Sequence, residues 1–132
     1  MMATAMNVYQ RSLALLGEDL QSGAPDTAFF EERAPHFINL LLSELTELDL
    51  FMKGERFSPD RVEIPQISAL EDALSLSEQL VFSLMPLGLA YLLVSEEDAA
   101  RAAFFYRLYQ EEKAEIRQRY RVFKRHPIRE VY

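Results

Sequence analysis

The chain has 132 residues, 49% of them hydrophobic and 27% charged, which is ordinary usage for one folded domain and too little chain for two sizeable cores. It contains no cysteine, which excludes a disulfide framework and any thiolate metal site and suits a reducing compartment. The net charge of −7 is unevenly placed, −12 over residues 1–98 and +5 over residues 99–132.

From the N-terminus, Met6, Tyr9, Leu13 and Leu16 recur at steps of three and four and predict a helix over residues 3–16, closed by Gly17. No basic cluster precedes these apolar residues and Arg11 interrupts them, so the segment does not read as a signal peptide. Gly23 and Pro25 mark a loop. Asp26 or Thr27 is placed to cap a second helix carrying Phe30, Ala34, Phe37, Leu41, Leu45 and Leu48. Ile38, Leu40 and Leu42 widen that stripe toward two neighbours, and Pro35 either kinks the helix or starts a fresh one.

Residues 51–77 hold Gly54, Pro59 and Pro65 and have no long period. Two readings stand there: a helical turn over residues 67–74, or a hairpin through Val62, Ile64 and Leu76. Ser77 is placed to cap a third helix over residues 78–94, apolar on most sides and therefore the most buried. Pro86 is expected to kink it, and Gly88 to admit a neighbouring backbone. Its apolar stretch is shorter than the ~20 residues a membrane span needs, so no membrane partner is expected. Ser95 is expected to open a fourth helix, with Glu96, Glu97 and Asp98 in its first turn and Pro127 ending it. An extended tail follows. The fold class is therefore all-α, a four-helix-type bundle with an irregular, hairpin-capable insert, as a domain over residues 1–123 and a tail over 124–132.

No catalytic constellation assembles from these residues. His36 and His126 are the only histidines, and neither has a partner at metal-ligand spacing. Glu44 and Glu47 share a helical face, but the second acidic pair that an all-α nucleotide pyrophosphohydrolase needs is missing. No P-loop, nucleophile elbow or dinucleotide fingerprint is present. The expectation is a non-enzyme without cofactor or metal.

The fourth helix carries Phe104, Phe105, Tyr106, Leu108 and Tyr109 almost all round. One face packs inward, and the excess points to an oligomer interface through Phe104, Tyr106 and Leu108. Ile128, Arg129, Val131 and Tyr132 form an apolar, basic terminus suited to docking on a neighbour. Arg121, Lys124 and Arg125 belong to a basic cluster able to meet DNA non-specifically, though only beside other positive groups, because the whole chain is acidic. The polarised charge either balances within one fold or steers a partner into register.

The segments "RSLALLGED", "ERAPHFINLLLSELTELD", "ISALEDALSLSEQLVFSLMPLGLAYLL", "SEEDAARAAFFYRLYQEEKAEI" and "HPIREVY" follow one another in an order that resembles the head-to-tail connector (head-completion adaptor) proteins of long-tailed bacteriophages. The resemblance covers nearly the whole chain and rests on element order rather than on a diagnostic motif. It implies a homo-oligomeric ring beneath the portal protein, a tail that docks on the portal or a neighbour, and a platform for a tail-side completion protein. It also implies a bore that passes DNA, and a place in the virion neck after assembly in the bacterial cytoplasm. A small terminase-like packaging protein is the alternative. It needs an early basic recognition helix, whereas residues 18–49 are acidic on balance.

Overall fold

The computed structural model describes the backbone of residues 3–17, 25–55 and 63–129, and the side chains of these except 25–28 and 122–129. Four α-helices pack together: α1 (Ala5–Leu16), α2 (Pro25–Met52), α3 (Met85–Val94) and α4 (Ala99–Arg129). The all-α bundle expected from the periodicity is the architecture observed. At its centre lies α3, against which α1, α2 and α4 all pack.

The start of α1 is fixed locally. Thr4 is its N-cap, and the Asn7 side chain accepts the Thr4 amide at 2.9 Å. Gly17 ends it with φ +77, where its amide reaches the Ala14 and Leu13 carbonyls. Leu13, Val8 and Tyr9 are buried against the core. At the C-terminal end of α1, the Arg101 guanidinium donates to the Leu16 carbonyl at 2.6 Å and ties α1 to α4.

Helix α2 is continuous for 28 residues with Pro35 inside it, so neither a fresh start nor a break occurs there. Proline 35 deprives the Glu31 carbonyl of its helical donor. Glu31 lies on the exposed side, where water replaces that donor at small cost. The helix begins at Pro25, ahead of Asp26 and Thr27, so neither is the residue that precedes it.

Pro86 has a different effect. Its missing N–H orphans the Phe82 carbonyl, and the chain answers with a π-helical turn over Leu80–Leu84, in which the Met85 amide reaches back to Leu80. The expected kink is this wider turn. Arg11 of α1 supplies the missing donor, 3.3 Å from the Phe82 carbonyl, with its guanidinium 4.6 Å over the Phe82 ring. Beside it the fully buried Ser12 hydroxyl lies 3.0 Å from both the Val8 and the Pro86 carbonyls.

In residues 63–77 the helical turn expected over 67–74 is reduced to one hydrogen-bonded turn, the Asp72 amide donating to the Ala69 carbonyl at 3.1 Å, and no hairpin forms among the described residues. Val62 lies outside the described residues, and Ile64 and Leu76 join no hairpin. The segment is held by single contacts instead. Ala73 forms an isolated bridge with Thr4, and the Ala5 and Met6 amides donate to Asp72 and Leu70. The Asn39 side chain clamps both backbone groups of Ile67, at 2.7 and 3.0 Å. Asp49, buried in α2, accepts the Ser77 amide at 2.9 Å and pairs with Lys53. Ser77 ends the segment through its carbonyl, which receives the Leu80 and Val81 amides. Its buried hydroxyl has no partner, so the expected side-chain cap is absent.

Helix α4 starts three residues later than the position of Ser95 suggests. The Ser95 hydroxyl turns back to the Leu92 carbonyl and closes α3, while Asp98 caps α4 by accepting the Arg101 amide at 3.1 Å. Of the three acids assigned to the first turn, Glu96 and Glu97 lie in the preceding turn. Nor does Pro127 end the helix. It sits in the last turn, where one lost hydrogen bond is cheap, and the backbone stays helical to Arg129. Residues 124–129 are thus helical rather than extended, and 130–132 lie outside the described residues.

Gly88 makes room for neighbouring side chains rather than for the backbone expected there. A Cβ there would stand 2.7 Å from Leu41 Cδ2 of α2 and 2.9 Å from Tyr109 Cε1 of α4. Three helices meet at this one position.

Candidate interaction site

The α4 residues expected to form an oligomer interface are divided between two flanks. Phe104 and Tyr106 are two positions apart, hence roughly 160° apart around the helix. Both are prominently exposed, Phe104 at 48% and Tyr106 at 44%. Phe104 shares a flank with Arg101, whose guanidinium reaches α1, and packs edge-on against Phe105. Leu108 on that same flank is half-buried and packs on the core. Tyr106 points the other way, toward α2, and its ring meets Tyr91 of α3 at 4.9 Å.

On the Tyr106 side, α2 and α4 border a groove of about 320 Å³ lined by Leu40, Leu41, Glu44, Tyr91, Leu92, Tyr106, Tyr109 and Gln110. Leu40 was grouped with the core by its apolar neighbours in sequence, yet it is 47% exposed. The signal lay in helical phase. At 100° per residue Leu40 falls among Glu32, His36, Ser43, Glu44 and Glu47, all exposed, within about 120° of arc. An apolar residue inside a polar stripe marks a contact point rather than a core position.

At the groove floor the Tyr109 hydroxyl is buried and finds no hydrogen bond of good geometry. Burial first, and then the nearby Glu44 carboxylate, push this phenol well above its ordinary range. Glu44 itself pairs with Lys113 at 2.7 Å. This ion pair joins α2 to α4. Glu47 is exposed.

A second, shallower groove of about 360 Å³ runs between α1 and the π turn, lined by Arg11, Ala14, Leu15, Phe82, Ser83, Pro86 and Leu87. Leu15 stands exposed on its wall.

The basic cluster lies along the last turns of α4. Arg117 sits 5.5 Å over the Phe51 ring, Arg119 is 3.7 Å from Glu112, and Arg121 is exposed. Lys124, Arg125, Ile128 and Arg129 lie on helical backbone whose side chains are not described, and Val131 and Tyr132 lie outside the described residues. His36 is exposed beside Phe37. Among the described residues no three His, Asp or Glu side chains converge as a metal site, and no helix is long and apolar enough to cross a membrane.

Comparison with known proteins gives no matching family model, no matching curated relative and no matching solved structure.

Proposed function

We propose that this chain is a structural subunit of a phage head-to-tail connector, assembling as a ring beneath the portal protein and presenting a platform to a tail-side completion protein. The observation that carries the reading is the order of the resembling segments. "RSLALLGED" opens in α1, "ERAPHFINLLLSELTELD" lies in α2, "LVFSLMPLGLAYLL" spans the π turn and α3, and "SEEDAARAAFFYRLYQEEKAEI" leads into α4. Two further features support it. Large apolar side chains stand exposed on both flanks of α4, and charge is divided between an acidic body and a basic end. In this role the protein works by binding protein, and its ring surrounds passing DNA without reading sequence.

The end of α4 and the residues after it are assigned to docking on the portal or on a neighbouring subunit. Deletion of residues 127–132 tests this. The expected result is an unchanged melting temperature with loss of binding to the cognate portal protein, and wild-type binding that weakens as salt is added. A large fall in melting temperature would show that these residues pack on their own domain, and the docking role would be lost.

A further inference from the structure

The charge division has a geometric side. Helix α2 carries Glu32, Glu44 and Glu47 on one exposed stripe with Leu40 among them. Residues 117–129 of α4 carry six basic side chains and no acidic one. The two helices run in the same direction, since Glu44 pairs with Lys113 while Phe51 lies under Arg117. Tyr120 reaches Gln79 at 3.1 Å, beside the start of the helical stretch that leads into α3, and α4 then continues for nine more residues, about 13 Å. Leu40 lies eleven residues before Phe51, about 16 Å back along α2. Beyond Arg117 the basic end therefore extends away from the acidic stripe of its own chain. Glu44 is already paired with Lys113 of its own chain, but residues 121–129 continue along α4 away from Glu32, and a second copy can bring these two together.

We infer that the groove between α2 and α4, with Leu40 and Tyr106 on its walls, Glu44 in its lining and Glu32 and Glu47 on the adjoining exposed stripe of α2, receives the basic end of α4 from a second copy of this chain. The contact is head-to-tail: each copy offers a different surface to each of its two neighbours, and repetition closes a ring when the rotation permits. Tyr106 and Leu40 supply apolar area at the centre. The opposed charges set register and hasten encounter. The inference rests on the self-assembly part of the connector reading and adds which faces meet.

The test uses two charge-reversed forms of the full chain, E32K/E47K on the stripe and R121E/K124E/R125E on the basic end. Glu32, Glu47 and Arg121 are exposed, and both sets leave the Glu44–Lys113 pair intact. Circular dichroism and melting temperature confirm that each variant is folded before its mass is followed by sedimentation over a concentration series in low and high salt. The expected result is wild-type association that weakens with salt, at least tenfold weaker association of each variant alone, and recovery when the two are mixed. In the mixture every reversed stripe meets a reversed end and every native stripe a native end. If the folded variants associate as tightly as wild type, this contact is wrong while the ring reading stands. A wild-type chain that stays monomeric in low salt yet binds the portal overturns the contact and leaves the connector role. Binding to neither removes both. If R121E/K124E/R125E assembles normally but loses salt-sensitive retention on duplex DNA, the basic end serves DNA and the inference fails.

Discussion

Gly88 is the residue on which the bundle's spacing depends. Because Leu41 and Tyr109 already occupy the space a Cβ would take, Gly88→Ala should cost about 1–3 kcal/mol of stability by overpacking, measured by chemical denaturation. Tyr109 carries the opposite expectation. Its hydroxyl is buried without a good hydrogen bond, so Tyr109→Phe should leave stability unchanged or raise it by up to about 1 kcal/mol. Burial, and next the Glu31 carboxylate, raise the Tyr9 phenol to about 12, and Tyr109 is raised as well. The stabilisation from keeping both neutral is complete below the ordinary tyrosine range and is lost as pH rises through the higher folded values. In an absorbance titration these two phenols should ionise only as the protein unfolds. Asp72 acts at the acid end. The Ser68 and Ala69 amides donate to its carboxylate and hold it below the usual range. Its contribution is present above the unfolded value near 4 and disappears as pH falls through the lower folded one. Asp72→Asn should flatten the loss of stability between about pH 5 and pH 2.

At the scale of elements, two prolines inside helices behave differently because of where their orphaned carbonyls face. Glu31, whose carbonyl Pro35 frees, is an exposed residue, and the helix runs on. The Phe82 carbonyl, freed by Pro86, faces α1 and is answered by a π turn and by Arg11. This predicts a coupling. Arg11→Ala should cost about 0.5–1.5 kcal/mol in the native background and distinctly less beside Pro86→Ala, where the new N–H serves Phe82 instead. A double-mutant cycle in denaturant measures the difference. The periodicity of the buried stripes in α1, α2 and α3 was legible in the sequence because burial repeats with the helix. The irregular segment was not, because Asn39 and Asp49 clamp it from positions about 28 residues away in the chain. The start of α4 was ambiguous because Ser95 and Asp98 are both capping residues, and only the turn between them decides which one serves. On α4 the excess of apolar residues was visible, but its division into Phe104 and Tyr106 flanks depends on α1 and α2 lying on opposite sides. Leu40, surrounded by leucines in sequence, was distinguishable only by its helical phase.

For the whole molecule, the polarised charge and the exposed apolar flanks are what support the proposed assembly. Exposed charge pairs are individually weak and screened within about 10 Å at ordinary salt. A head-to-tail contact between an acidic stripe and a basic helix end should therefore strengthen sharply at low ionic strength. Its apolar centre should make Leu40→Asp disruptive to association and nearly neutral for folding, because that side chain is half in solvent. Sedimentation and thermal melting of the variant check both parts. The measurement that bears most directly on the connector role is the mass of the particles formed by the chain with and without its cognate portal protein. Closed, ring-sized assemblies bound to the portal are the predicted result. A chain that remains monomeric at high concentration and does not bind the portal would contradict it.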